Sequence, residues 1–169
     1  MTKYVGDHKN LSIQGFLTEA MFELLENHSF AEISISELCK KAGVSRASFY
    51  RSFLSKEDVI KAFFKKDLQQ WWVDLFTNHE SEIDYSFFER LLLHYQDCMK
   101  PHLRIIRDRG LIYLLKECIY ESGGTLEHMS DYEAYRRSSF LGQAAAIVGL
   151  WIVRGMNSTI PPIHQYLHD

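Results

Sequence analysis

Residues 33–56 read ISISELCKKAGVSRASFYRSFLSK and contain the most informative local signals of the chain. Ser34 and Glu37 have the spacing of an N-terminal capping box, in which each side chain binds the main chain of the other residue. A short helix is therefore predicted to run through Leu38 to Ala42. Gly43 follows at the position where a left-handed residue commonly ends a helix, so a tight turn is predicted there.

A second short helix is predicted directly after this turn. Ser45 can cap it, and Phe49 and Phe53, four residues apart, share the face that turns inward. Two short helices joined by a glycine turn form a helix-turn-helix, here over residues 33–52. The opposite face of the second helix is then free to enter the ~12 Å wide major groove of DNA. The outward-facing residues are Arg46, Ala47, Ser48, Arg51 and Ser52, with Tyr50 at the edge.

The charge distribution supports a polyanionic partner for this segment. The whole chain carries a net charge of −3, so it is not basic overall. Residues 38–56, however, contain five cationic side chains and no acidic one. Such a local cluster is typical of nucleic-acid binding, with an ordinary solvated face as the alternative. The five cations are Lys40, Lys41, Arg46, Arg51 and Lys56.

At these residues the chain resembles the N-terminal domain of TetR-type (TetR/AcrR family) transcriptional regulators. The resemblance extends from Phe30 to Val59. Its motif reads Ser34-Ile35-x-x-Leu38-Cys39-x-x-Ala42-Gly43-Val44-Ser45-Arg46-Ala47-Ser48-Phe49-Tyr50-x-x-Phe53-x-x-Lys56. The chain departs from the family where it has Ala47-Ser48 in place of Gly-Thr and Ser52 in place of His or Tyr. These departures affect base preference more than fold.

The resemblance implies a role for each of these side chains. It puts Arg46, Ala47, Ser48 and Ser52 near base edges, and Ser34, Tyr50 and Lys56 at phosphates. Ser45 would lie at a helix N-terminus, where capping and a phosphate contact are compatible. For Ser34 and Ser45, capping alone is the alternative.

The rest of the chain is also predicted to be helical. Only 3 prolines and 9 glycines interrupt 169 residues, which favours long helices and an all-α fold. We expect a DNA-binding domain over residues 1–54, with its first helix starting near Asn10. A helix over 56–76 would connect it to an all-helical ligand-binding and dimerisation domain over 77–169. Further helices are predicted over 85–99, from Pro101, over 111–121 and over 132–154.

The last helix is the predicted dimer interface. One helix-turn-helix reads few base pairs, and a C2 dimer would match a palindrome with half-sites ~34 Å or a multiple apart. Small residues recur at helical spacing and would permit close helix approach, unless this ridge packs only within the chain. The predicted interface residues are Gly142, Ala145, Ala146, Gly149, Leu150 and Trp151.

The resemblance also implies a small-molecule effector, which would release a repressor from its operator. Ligand pockets have apolar walls with few polar groups, a pattern shared with ordinary helical cores. The polar residues on apolar faces that we assign to such a pocket are His94, Tyr95, Cys98, Tyr113, Glu117 and Gln143, with Tyr120 beside them. The identity of the effector does not follow from the sequence.

Other classes of function are disfavoured. His94, Cys98 and His102 have helical metal-ligand spacing, but Pro101 is expected to end the helix between the last two, so no metal or cofactor is predicted. No motif of a hydrolase, metalloprotease, P-loop protein or Rossmann enzyme occurs, so no enzymatic activity is expected. A TetR-like coactivator that acts through a partner protein and a metabolite remains the alternative to a repressor.

The expected location is the cytoplasm. The longest apolar run, residues 144–153, is well short of the ~18 residues that cross a bilayer, so no membrane association is predicted. The N-terminus lacks a signal-peptide core, and three cysteines without a CxxC pair favour a reducing compartment.

Overall fold

The computed structural model describes residues 12–78, 86–122, 124 and 128–156, and within these ranges the chain is helical with no β-strand. The all-α fold predicted from the sequence is thereby confirmed. The helices are α1 (Ile13–Asn27), α2 (Ile35–Ala42), α3 (Arg46–Ser52), α4 (Lys56–Asn78), α5 (Ser86–His94), α6 (Lys100–Asp108), α7 (Ile112–Glu121) and α8 (Asp131–Val153), with a π-helical turn over Tyr95–Met99.

Two compact units share the chain, and their boundary lies inside α4. Unit 1 comprises Met1–Phe63 and unit 2 comprises Phe64–Asp169. The sequence prediction placed the end of the DNA-binding domain at residue 54, with the following helix as a connector. The first two turns of α4 belong to unit 1, because Val59 and Ile60 are completely buried.

Unit 1 is built from α1 packed on both α2 and α3. The side chain of Ser12 caps α1 by accepting a hydrogen bond from the Gly15 N–H at 3.3 Å. The predicted start at Asn10 lies outside the described residues. Ile13 and Phe16, in the first turn of α1, are exposed. The buried side chains that form the core of the unit are Leu17, Met21, Leu25, Ile33, Leu38, Phe49, Val59 and Ile60.

In unit 2, α8 packs against α5, α6 and α7. Its start is fixed by a complete capping box: Ser130 accepts from the Glu133 N–H, and the Glu133 carboxylate accepts from the Ser130 N–H. The predicted extent of this helix, 132–154, agrees with the observed bounds to one residue. The core contains Tyr95, Leu103, Ile106, Leu115, Cys118, Val148 and Ile152.

Pro101 does not interrupt the helix, which corrects the sequence prediction. The chain passes from α5 through the π-helical turn directly into α6 and stays helical from Ser86 to Asp108. Pro101 occupies the first turn of α6, where its missing N–H is tolerated. The wider π-helical turn just before it shifts the register of the helix, so α-helical spacing alone does not place His102 relative to His94.

Candidate nucleic-acid interface

The turn between α2 and α3 has the geometry that its sequence predicts. The Oγ of Ser34 caps α2 by accepting from the Glu37 N–H at 3.1 Å. At the other end Gly43 has φ +66°, in the left-handed region that favours glycine. The Val44 N–H donates to the Cys39 carbonyl at 3.0 Å and closes the helix end. These local bonds set the direction in which α3 leaves α2.

The inner face of α3 is anchored by two phenylalanines. The Oγ of Ser45 accepts from the Ser48 N–H at 3.0 Å and caps the helix. Phe49 is completely buried and Phe53 nearly so, with their ring centroids 6.0 Å apart. Because one face is fixed in this way, the other face of α3 is presented to solvent.

The outer face of α3 carries the residues that the sequence analysis assigned to DNA. Arg46, Ala47, Tyr50 and Arg51 are exposed, whereas Ser48 and Ser52 are half-buried. The ring of Tyr50 meets Phe49 edge-on, with centroids 5.3 Å apart, and remains half exposed. This face thus combines two guanidinium groups, a phenol and small hydroxyl side chains, which are groups suited to bases and phosphates.

A chain of side-chain hydrogen bonds runs along this face. The Nη2 of Arg51 donates to the Oγ of Ser48 at 3.0 Å, and that Oγ lies 2.9 Å from the Oγ of Ser45. The hydroxyl groups at residues 45 and 48 therefore do more than cap the helix, because they also hold a guanidinium in place. This arrangement could not be read from the spacing of the residues alone.

Besides Arg51, two of the five cations in residues 38–56 are engaged within the protein. The Nζ of Lys41 pairs with the Glu23 carboxylate at 2.6 Å, and this bond raises the pKa of Lys41. The positive charge that remains exposed around the helix-turn-helix comes from Lys40, Arg46 and Arg51.

Lys56 is the second engaged cation. Its Nζ donates to the carbonyl oxygens of Phe30 and Ile33, the latter at 2.9 Å, and lies 4.4 Å from the centroid of the Phe30 ring. These partners differ from the phosphate contact that the resemblance implies.

The residues assigned to an effector pocket occupy different environments. Tyr95 is completely buried, His94, Cys98 and Glu117 are half-buried, and Tyr113 and Gln143 are exposed, as is Tyr120. The six side chains are thus not brought together as one buried set. The buried Oη of Tyr95 and the buried Nε1 of Trp151 have no hydrogen-bond partner within the described part of the chain.

Asp67 is a residue of this region that the sequence analysis missed. Its Oδ1 lies 3.0 Å from the Nε2 of His94, which joins α4 to α5 inside unit 2. Burial lowers the pKa of His102 and raises that of Cys98. Across the described ranges, His, Cys, Asp and Glu side chains form no group of three or more that could hold a metal ion.

The small-residue ridge of α8 packs within the chain. Ala145 and Trp151 are buried, and a Cβ added at Gly149 would come 2.3 Å from the Cε of Lys116 on α7. Gly142 faces α7 in the same way, near the Oη of Tyr120. The dimer interface assigned to this ridge stays a prediction, and the contacts that the structure describes for the ridge lie within the chain.

A different stripe of α8 faces solvent. Among the predicted interface residues, Ala146 and Leu150 are exposed, and Val153, which the prediction did not include, is 64% exposed. The spacing of these exposed residues continues back through Gln143 and Ser139, at the 3-4 alternation of one helix face.

Among the described helices there is no segment with the length and hydropathy of a membrane span.

The N-terminal domain is similar in sequence to a known protein family and to two transcriptional regulators. Residues 17–63 match the model of the family described as bacterial regulatory proteins, tetR family. The transcriptional regulator EthR of Mycolicibacterium smegmatis is 57% identical over 37 residues, which cover 22% of this chain and 17% of that protein. EthR of Mycobacterium tuberculosis is 35% identical over 79 residues, covering 47% and 35% respectively.

Two further similarities extend beyond unit 1. DhaS of Lactococcus lactis, a transcriptional activator of the dhaKLM operon, is 24% identical over 94 residues, covering 56% of this chain and 48% of that protein. The chain therefore matches less than half the length of each of these three relatives. The crystal structure of Lin0861 from Listeria innocua superposes with a TM-score of 0.63 at 17% identity, covering 98% of this chain and 92% of that one. This last likeness concerns the fold alone.

The helix-turn-helix of unit 1, its cap residues and the family match coincide in residues 17–63. This N-terminal domain is therefore similar in sequence to that of the tetR family of bacterial regulatory proteins.

Proposed function

We propose that the chain is a sequence-specific DNA-binding regulator of transcription that inserts α3 into the major groove of duplex DNA. The observation that carries this proposal is the outer face of α3, where exposed Arg46 and Arg51 flank small side chains while Phe49 fixes the helix from behind. A groove-reading helix needs this combination of a rigid inner face and a polar outer one.

We assign some of these side chains to base edges and others to the phosphate backbone of DNA. Arg46 and Arg51 are the candidates for paired hydrogen bonds to guanine, and Ala47, Ser48 and Ser52 are small enough to let α3 lie deep in the groove. Tyr50, Ser34 and Ser45 are candidates for phosphate contacts, with the two serines also acting as caps. Lys40 adds exposed positive charge nearby.

We infer that the active species is a homodimer that binds a palindrome. Its interface would use the exposed stripe of α8, namely Ala146, Leu150 and Val153, since the ridge formed by Gly142, Ala145 and Gly149 is occupied by α7. Exposed leucine and valine side chains four residues or fewer apart form an apolar strip that a second copy of the same helix can bury.

Repression released by a small molecule is the mode of regulation that we propose. An effector can act only by preferring a state of the protein that fits DNA less well. Among the residues assigned to the pocket, Tyr95 best supports ligand binding. Its buried hydroxyl has no hydrogen-bond partner within the described part of the chain, and a polar group in an apolar core needs one, which an effector could supply. His94, Cys98, Tyr113, Glu117 and Gln143 remain assignments from the sequence.

The alternative is a coactivator that works through a partner protein and a metabolite. The observation in its favour is the similarity to DhaS, which is a transcriptional activator. The two proposals differ in what the purified protein binds.

In-vitro selection from a random duplex library, followed by mass determination of the complex, tests the proposal. An enriched palindrome bound by two chains supports a direct DNA reader. Absence of enrichment, together with capture of one specific regulator from a cell extract, favours the coactivator.

A further inference from the structure

We propose that Lys56 is a positioning residue: it fixes the segment that precedes the helix-turn-helix to the first turn of α4 and affects DNA binding through that placement, without contacting a phosphate. The inference rests on the proposed DNA-binding function and concerns how that site is held together.

The ammonium group of Lys56 already has partners inside the protein. Its Nζ donates to the carbonyl oxygens of Phe30 and Ile33 and lies 3.5 Å from that of Ala31. The Phe30 ring lies beside the same charge, at 4.4 Å from ring centroid to Nζ. A lysine ammonium has three N–H donors, and three carbonyls and an aromatic face satisfy both its hydrogen bonds and its charge.

The carbonyl oxygens of Phe30, Ala31 and Ile33, here called the carbonyl cradle, need such a donor. Residues 28–34 connect α1 to α2 without helical structure of their own beyond a turn, so their carbonyls lack the partners that a helix supplies. One end of the connector closes on itself, because the Glu32 carboxylate accepts from both the N–H and the Oγ of Ser29. Lys56 binds the other end, next to the buried side chain of Ile33.

A second side chain of the same helical turn holds the segment that follows the helix-turn-helix. The carboxylate of Asp58 accepts from the Leu54 N–H at 3.1 Å and from the Ser55 N–H at 2.9 Å. The chain is thus tied to α4 just before α2, through Lys56, and just after α3, through Asp58. Since these two ties bracket the helix-turn-helix, they set its placement on α4.

A phosphate contact would compete with this arrangement. To reach a phosphate, the ammonium would have to leave hydrogen bonds that span 23 and 26 residues of the sequence. A lysine that only meets phosphates would also be replaceable by arginine, because both carry the same charge. The carbonyl cradle fits a compact ammonium and not a planar guanidinium, so the two substitutions Lys56→Arg and Lys56→Met separate the accounts.

The test measures both the free protein and its DNA complex in the full chain. We expect Lys56→Met and Lys56→Arg to speed amide hydrogen exchange over residues 29–38 in the free protein. On a selected duplex both should lose affinity, about tenfold to a hundredfold for lost hydrogen bonds to a charged group. The slope of log K against log salt should stay that of the parent chain. Lys66→Met, at an exposed lysine later in α4, is the matched control and should change neither exchange nor affinity.

The opposite pattern would overturn the proposal: unchanged exchange, a salt slope reduced by about 0.9 in Lys56→Met, and full affinity in Lys56→Arg would identify a phosphate contact. If Lys56→Met does not fold, Lys56→Arg alone decides. If no duplex is selected by the parent chain, the proposed function fails, and hydrogen exchange in the free protein still decides the role of Lys56.

Discussion

Arg51 is held by Ser48 on the outer face of α3, with 3.0 Å between the guanidinium Nη2 and the serine Oγ. The side chain is thereby oriented before it meets DNA, which reduces the entropy that binding would otherwise cost. Ser48→Ala should therefore weaken binding to the cognate duplex by about 0.5–1.5 kcal/mol, the usual net value of one hydrogen bond. Fluorescence anisotropy at fixed salt measures the change. In Arg51→Ala the same serine substitution should have a much smaller effect, and equal effects in both backgrounds would show that Ser48 acts independently of Arg51.

Arg46→Ala tests the direct base contact. We expect it to weaken cognate binding by about 1–3 kcal/mol and to relax the preference at one base position, because a guanidinium that binds a base edge carries sequence information. Repeated selection with the variant measures the preference. Arg136→Ala, at an exposed arginine of α8, is the control and should alter neither quantity. If Arg46→Ala lowers only non-specific affinity, the residue contacts backbone phosphates.

Two glycine-to-alanine substitutions should affect the free energy of unfolding differently. Gly43→Ala forces a Cβ onto a residue with φ +66° and should lower the free energy of unfolding by about 1 kcal/mol, although the Cβ would meet no atom within 4 Å. Gly142→Ala lies inside α8, where the Cβ would come no closer than 3.8 Å to the Tyr120 Oη, and should be neutral or stabilising by about 0.5–1 kcal/mol. Urea denaturation measures both. A destabilising Gly142→Ala would mean that α7 packs against this position too closely to admit a Cβ.

The two faces of α8 should respond differently to charge. Leu150→Arg, on the exposed stripe, should leave a folded chain that no longer dimerises, because an apolar strip at an interface cannot accept an unpaired cation. Ala145→Arg, on the face buried against α7, should disrupt unit 2 itself. Light scattering and circular dichroism distinguish the outcomes. A dimeric Leu150→Arg with native helix content would place the interface elsewhere.

Unit 2 should lose stability below neutral pH through His102. Burial lowers the pKa of this imidazole from its ordinary value of 6.5, partly offset by the nearby Asp67. The unfolded state therefore binds more protons, so the stabilising effect of neutral His102 is complete above pH 6.5 and is lost as pH falls through that value. His102→Gln should reduce the loss of stability between pH 7 and pH 5, measured by urea denaturation at each pH. His128→Gln, at an exposed histidine, should reproduce the pH dependence of the parent chain.

Local signals in the sequence predicted the elements well. Ser34 and Ser45 cap the helices that follow them, and Gly43 ends α2, because capping and left-handed backbone depend on residues within four positions. Phe49 and Phe53 face inward as their spacing requires.

Contacts between distant residues could not be predicted in this way. The spacing of Gly142, Ala145 and Gly149 marks a surface for close helix approach but does not say which helix approaches, and in the structure it is α7. Nothing near Lys56 in the sequence indicates that carbonyls 23 and 26 residues earlier would surround it. The π-helical turn before Pro101 likewise has no signature in the spacing of the neighbouring residues.

The ratio of specific to non-specific DNA affinity is the decisive measurement for sequence-specific binding by α3. It is measured with the full chain at near-physiological salt, on the best selected duplex and on a scrambled duplex of equal length and composition. We expect a preference of about 10³-fold or more for the selected duplex, and we expect it to be lost when the outer face of α3 is altered. Equal affinity for the two duplexes, falling steeply with salt for both, would contradict it, since the cations around α3 would then bind DNA only as a polyanion.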